Sequence, residues 1–244
     1  DAQGARTDAG AVYVFSRTAA GWAEQAVLTA VDAKEGAQLG QSVALSVDGQ
    51  TLVAGARASG LGAVHVFRRD GVLWREQAVV EAANAMPQNP LIGQVALSAD
   101  GSTLAVTDRD LLQTATTPVV IVFAHDGNGA WSQQSRIPAT LYTYTPPLSG
   151  GRAYGSMVFS SDGNTLAVNT AKVPGQAACG APATYSGETQ RIALYSRSSD
   201  TWTLQGQAVS AAQPLSPWAF ANDGSALIYG NTLFTRSNGT WACN

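Results

Sequence analysis

The sequence predicts an all-β fold: a β-propeller of four-stranded antiparallel blades, with four full repeats plus one half repeat. Three observations predict it. An alternating apolar–polar frame turns at Asp-Gly and recurs four times. Around these frames runs a second apolar stretch, closed by a polar turn and a tryptophan, which occurs five times. No segment carries the 3.6-residue periodicity and end caps of an amphipathic helix.

The first frame reads "ALSVDGQTLVA" around Asp48. Its counterparts are "ALSADGSTLAV" at Asp100, "VFSSDGNTLAV" at Asp162 and "AFANDGSALIY" at Asp223. Alternation with period two places successive side chains on opposite sheet faces, so each half of the frame is a strand. These are strands a and b of a unit, and Asp-Gly between them predicts a two-residue hairpin turn. Strand c is the second stretch: "GAVYVFSR" at Gly10–Arg17, "GAVHVFRR" at Gly62–Arg69, then "VVIVFAH", "IALYSR" and "LFTR". Strand d starts at Trp22, Trp74, Trp131, Trp202 and Trp241, and these tryptophans are expected to pack between blades. The turns before them, such as "RRDGVLW" and "RSNGTW", are rich in Gly, Asn, Asp and Ser.

A four-stranded unit recurring about every 50–60 residues reads as a propeller blade, because one such sheet alone leaves both faces bare and stacking around an axis covers them. The chain forms a single domain over 1–244. Its units fall at about 1–38 (strands c and d only), 39–90, 91–152, 153–212 and 213–244. That makes about five blades. They are either a ring whose first blade is incomplete or completed by another chain, an open arc in an assembly, or part of a larger ring.

Composition narrows the function classes. With 45% hydrophobic residues the chain can bury a sizeable core, and only 13% is charged. A net charge of −3, with Lys34 and Lys172 as its lysines, offers no basic surface for nucleic acid or anionic lipid. No apolar run approaches the roughly 18 residues of a membrane helix. The chain opens at Asp1 without a signal peptide or initiator Met, and reads as a processed form or a piece of something longer. Cys179 and Cys243 stand far apart with no C-x-x-C spacing, which argues against zinc and dithiol chemistry. They are either a disulfide in a secreted chain or two unrelated thiols.

The frame "LGQSVALSVDGQTLVAGA", with the strand c motif "GAVYVF", resembles the FG-GAP repeats of the integrin α-subunit β-propeller and its bacterial relatives. "LGQS", "IGQV" and "YGSM" correspond to the FG element, and "VAGA" at Val53–Ala56 to the GAP element. The resemblance implies a seven-bladed propeller, secreted, periplasmic or at the cell surface of a bacterium. In several members of the family the a–b loop holds calcium. Calcium takes six to eight oxygens. Each a–b loop here offers one carboxylate, so Asp48, Asp100, Asp162 and Asp223 read as turn residues. Asp108 and Asp110 are weak metal candidates, and no cofactor is expected.

Catalytic motifs are sparse. Two histidines limit any nucleophile–base pair. His65 stands where strand c has Tyr13 in the first unit and reads as a strand surface residue; His125 opens a turn. Asn238-Gly239-Thr240 is a glycosylation sequon and an Asn-Gly turn, and the turn reading fits the repeat. The expectation is therefore a non-enzymatic extracellular binding or structural module with no catalytic residues. An up-and-down blade puts a–b and c–d turns on one face and b–c and d–a connections on the other. All the long irregular segments fall on the second face: Thr107–Pro118, Ile137–Ala153 and Asn169–Arg191. They bring Tyr142, Tyr144, Arg152, Tyr154, Lys172, Tyr185 and Glu188 as partner-binding candidates, because Tyr and Arg give large contact area with polar tips. The partner would be a protein or a glycan, and the chain could be a subunit of a larger assembly. Alternatives are a lectin, or a carbohydrate-active enzyme using carboxylates among Asp108, Asp110 and Glu188.

Overall fold

The computed structural model describes residues 7–56, 62–81, 94–107, 119–138, 156–173, 189–210, 218–230 and 232–243. Among these residues every regular element is a β-strand. The first unit is a two-stranded hairpin, β1 (Val12–Thr18) with β2 (Gly21–Leu28). Four four-stranded antiparallel sheets follow. They comprise β3 (Ser42–Leu45), β4 (Thr51–Ala56), β5 (Ala63–Asp70) and β6 (Leu73–Val80); then β7 (Val95–Leu97), β8 (Thr103–Thr107), β9 (Val119–His125) and β10 (Trp131–Pro138). Next come β11 (Met157–Phe159), β12 (Thr165–Val173), β13 (Thr189–Ser198) and β14 (Thr201–Ser210). The last sheet holds β15 (Trp218–Phe220), β16 (Ala226–Tyr229), β17 (Thr232–Ser237) and β18 (Thr240–Cys243). Strands pair in chain order in each sheet, as the repeat predicts. The fold is a propeller, and its described residues form four full blades and one half blade.

The core lies between blades. The inner strand b is buried on both sides: every residue of β4 and β8 is buried. Strand c alternates its allegiance. In β5, Val64 and Val66 join a cluster with Leu104, Ile121 and Phe123 of the third blade, while Phe67 joins one with Val12, Leu28 and Leu39 on the side of the first. The tryptophans behave as the repeat predicts in blades two to five. Trp74, Trp131, Trp202 and Trp241 each sit in or against the cluster shared with the preceding blade.

Two structural details depart from the sequence reading. The a–b turns are wider than Asp-Gly predicts. Gly49 N–H donates to the Ser46 carbonyl at 2.9 Å, and Ser46 N–H to the Thr51 carbonyl at 2.9 Å. Asp48 is thus the third residue of a turn, and positive φ falls on Gly49 alone (66°). A two-residue type I′ turn would need positive φ at Asp48 as well. The second detail is a bulge in each c–d pair of the first four units. Register shifts fall at Val14/Phe15, Val66/Phe67, Gln133/Ser135 and Leu194/Tyr195. The residue passed over is glutamine each time: Gln25, Gln77, Gln134 and Gln205. A bulge adds one residue and sharpens the twist. Here it also re-aims a side chain: Gln134 Nε2 donates to Asp200 Oδ1 at 3.0 Å, in the c–d turn of the next blade.

Candidate functional site

The face that carries the a–b and c–d turns is built from spent polar groups. In three blades a serine two residues before the turn aspartate closes the hairpin. Ser46, Ser98 and Ser160 donate their hydroxyls to Asp48, Asp100 and Asp162, each at 2.5 Å. The same hydroxyls accept the N–H of Thr51, Thr103 and Thr165 at 2.9 Å. Each carboxylate then accepts the backbone N–H two residues on, from Gln50, Ser102 and Asn164. In the last blade Ala221 replaces the serine, and the Ser225 hydroxyl takes its part by donating to Asp223.

These bonds set the electrostatics of the turns. At Asp48 the Ser46 hydroxyl and the Gln50 N–H hold the carboxyl below the usual carboxylate range. At Asp100 and Asp162 partial burial pushes the other way, but the serine hydroxyls and following residues outweigh it, and both are lowered. Asp223 is lowered by Ser225. The single carboxylate of each turn is therefore occupied by its own hairpin.

The turns also nest. A Cβ added at Gly101 would lie 3.0 Å from Thr51 Oγ1 and 3.3 Å from Ser46 Cβ, so the third blade's turn rests on the second blade's hairpin. Gly163 stands in the same way over Ser98, and Gly224 over Ser160. Val47 N–H donates to the Ala99 carbonyl at 2.9 Å, and the Ser161 hydroxyl donates to the Asn222 carbonyl. Arg197 reaches back from the fourth blade to Thr103 Oγ1 at 3.2 Å.

The opposite face holds less regular chemistry. His65 is not a surface residue: it is buried near the b–c end of β5 and meets Glu76 of β6, Nδ1 to Oε1, at 2.7 Å. Glu76 Oε2 accepts Val31 N–H at 2.7 Å, from the connection between the first two blades. The sequence reading failed because burial at this position depends on the blade in front, and among the described residues Tyr13, its counterpart, has none before it. His65 faces the first half-blade. Further round, Asn169, midway along β12, donates through Nδ2 to the buried Tyr229 hydroxyl at 2.7 Å. Here the expected irregular segment Asn169–Arg191 is shorter than the sequence suggests. Strand pairing continues past a bulge through Ala171↔Arg191, Lys172↔Gln190 and Val173↔Thr189. Lys172 thus lies on a strand extension raised on this face.

The other sequence-predicted residues, Tyr142, Tyr144, Arg152, Tyr154, Tyr185, Glu188, Asp108, Asp110 and Cys179, lie outside the described residues. Cys243 ends β18 and is disulfide-bonded. Among the described residues no three His, Cys, Asp or Glu side chains gather as a metal site. No described helix is long and apolar enough to cross a membrane.

The repeat can now be compared with known proteins. Residues 22–67 match the FG-GAP repeat family. The resemblance read from the sequence is borne out there, over the d strand of the first blade and the a, b and c strands of the second. No curated protein matches the chain. Solved structures match most of its span. A periplasmic gluconolactonase of Pseudomonas aeruginosa is 20% identical, with a TM-score of 0.55, and the match covers 93% of this chain and 60% of that one. A candidate 6-phosphogluconolactonase of Bacteroides fragilis is 14% identical, with a TM-score of 0.59 and coverage of 96% and 63%. The Cps50 (Swd1) β-propeller domain from Myceliophteria thermophila is 12% identical, with a TM-score of 0.54 and coverage of 97% and 64%. At these identities the likeness is one of fold. The chain spans about three fifths of the length of these structures.

This corrects the expectation of a non-enzymatic binding or structural module, because lactonase-named structures share the fold over nearly the whole chain. The physical reason is plain. Residues that repeat from blade to blade encode hairpins and packing, and are silent about chemistry carried on the connections.

Proposed function

We propose that this chain is part of a propeller hydrolase acting on sugar lactones, with the reaction on the face of the b–c and d–a connections. The observation that carries the proposal is the likeness of fold to a gluconolactonase over 93% of the chain. The opposite face supports it by exclusion: its turn carboxylates are taken up by their own hairpins and its turns nest blade on blade.

Lactone hydrolysis needs modest machinery. Water adds to the ester carbonyl, the bond from that carbon to the ring oxygen breaks, and the water's proton passes to that oxygen. A carboxylate within reach of the water serves as base, and a cation stabilises the oxyanion. Asp108, Asp110 and Glu188 supply the carboxylates, and Arg152 and Lys172 the cations. The tyrosines Tyr142, Tyr144, Tyr154 and Tyr185 provide surface for a sugar ring. The disulfide at Cys243 supports an oxidising, periplasmic or secreted setting, with Cys179 as its partner.

The test is acid release from glucono-1,5-lactone, followed with a pH indicator and corrected for spontaneous opening. A protein-dependent rate that drops at least tenfold in Glu188→Gln or Asp110→Asn is expected. A rate no faster than buffer across several aldonolactones would overturn the proposal.

A further inference from the structure

We infer that Asn238 is a modification site: its side-chain amide converts without an enzyme to isoaspartate, through a succinimide ring closed by the backbone nitrogen of Gly239. The inference is independent of the lactonase proposal.

The chemistry needs Asn or Asp followed by glycine, because a side chain on the second residue crowds the ring. The glycine nitrogen loses its proton and attacks the side-chain carbonyl carbon. A new N–C bond forms, the bond to Nδ2 breaks, and the amide leaves as ammonia. Water then opens the ring at one of its two carbonyls. One opening gives Asp. The other gives isoaspartate, whose backbone runs through the side-chain methylene. Water is the sole co-reactant and nothing is oxidised.

Eight glycines in the chain follow Asn or Asp. The fold ties down five of them. Gly49, Gly101, Gly163 and Gly224 donate their N–H groups to the carbonyls of Ser46, Ser98, Ser160 and Ala221, each at 2.9 Å. Gly127 donates to His125 Nδ1 at 3.1 Å. Attack by any of these nitrogens would first forfeit its hydrogen bond. Among the described residues the N–H groups of Gly71, Gly129 and Gly239 have no acceptor. Asp70, before Gly71, is a carboxylate above about pH 4. It has no ammonia to release, and it repels an anionic nitrogen. Asn128 and Asn238 are left, and both are exposed.

Their loops differ in charge and in space. Asp126 Oδ1 accepts the N–H of Asn128 at 2.7 Å and that of Ala130 at 3.0 Å, one on each side of Gly129. That carboxylate stands against the nitrogen that must become an anion, and like charge disfavours the ionisation. Gly129 is also covered: a Cβ added there would lie 3.3 Å from Gln77 Nε2. Asn238 and Gly239 form the turn between the paired residues Ser237 and Thr240, with φ of 51° and 80°. This is a two-residue hairpin turn of type I′. No described carboxylate accepts a hydrogen bond from this turn, and a Cβ added at Gly239 would meet nothing within 4 Å. The charged side chain two residues earlier is the cation Arg236. Room and charge both favour ring closure at Asn238.

The product matters to the last blade. Isoaspartate lengthens a tight turn by one backbone carbon and adds a negative charge. That turn sets the register of β18, which carries Trp241 into the cluster shared with the fourth blade and ends at the disulfide-bonded Cys243.

The experiment ages the folded full chain in warm, mildly alkaline buffer made with heavy-oxygen water, then maps its peptides in acid. Heavy oxygen marks acids formed during ageing. The Asn238 peptide is expected to gain labelled product, mostly isoaspartate, several times faster than the Asn128 peptide. Peptides holding Asp48, Asp100, Asp162 and Asp223 should gain none. In urea the unfolded chain should convert Asn128 and Asn238 at similar rates, since the fold sets the order. Asn238→Gln should abolish the product at this site, because its longer side chain closes a larger and slower ring. An Asn238 that stays an amide in the folded chain while the unfolded chain converts would overturn the inference. So would an Asn128 that converts as fast as Asn238 in the folded chain.

Discussion

His65 Nδ1 lies 2.7 Å from Glu76 Oε1, and the second oxygen of the same carboxylate accepts the N–H of Val31. One buried carboxylate thus ties two strands of the second blade to the connection that leaves the first. Truncating it strands a buried imidazole and a backbone donor together. Glu76→Ala is expected to lower unfolding free energy by about 2–3 kcal/mol, the scale for leaving buried partners unsatisfied. Denaturant melts of Glu76→Ala, His65→Ala and the double variant check it. The double variant should lose less than the sum of the singles, and strict additivity would contradict the pairing.

The turn aspartates predict a pH dependence. Their folded pKa values are lowered, so the stabilisation they give is complete above the unfolded carboxylate value of about 4 and disappears as pH falls through the folded values. Acid should therefore lower the stability of the fold below about pH 4. Ser98→Ala should raise the Asp100 pKa toward its ordinary value and move the acid transition to higher pH. Carbon NMR of the Asp100 carboxyl reads the first effect, and circular dichroism against pH the second.

The inter-blade tryptophans act through volume. The indole N–H groups of Trp74, Trp131, Trp202 and Trp241 are buried with no hydrogen-bond partner among the described residues. Trp202→Phe should therefore cost only about 1 kcal/mol, while Trp202→Ala opens a cavity and costs about 3–5 kcal/mol. Thermal and denaturant melts separate the two. A Phe variant as damaged as the Ala variant would mean that the indole nitrogen matters after all.

The disulfide of Cys243 gives a fourth prediction. If Cys179 is the partner, as proposed, reduction releases the last blade from the fourth-blade connection and should cost roughly 4 kcal/mol in the chain-entropy model. Peptide mapping without reductant should recover one linked pair containing both cysteines. Recovery of Cys179 as a free thiol would rule the pairing out.

Much of this architecture is legible in the sequence because it repeats. Phe15, Phe67, Phe123, Tyr195 and Phe234 recur at one position of strand c, and in blades two to five that position is buried in the inter-blade contact. The hairpins were legible in place but not in type. The Asp-Gly pair points to a two-residue turn, while the turns are wider in all four blades, and in three of them a serine two positions earlier braces the loop, its hydroxyl bonding both the aspartate and the threonine beyond. The bulged glutamines were present as "EQA", "EQA", "QQS" and "LQG" but carry no local signal, since a bulge is a property of two strands in register. His65 was misread because burial at its position depends on a neighbouring blade. The candidate catalytic residues stand where the repeat stops, and there periodicity has nothing to say.

The stacking of Gly101 over Ser46 and of Gly163 over Ser98 has a geometric consequence. Small side chains near the axis let neighbouring sheets come close there, while tryptophans hold them apart further out. Each blade is in effect a wedge, and the difference in width between its thin and thick edges fixes how sharply the succession curves. Curvature in turn decides how many wedges complete a circle and how wide the central opening is. A methyl group added at the thin edge, as in Ser46→Thr, would hold neighbouring hairpins apart there and straighten the path.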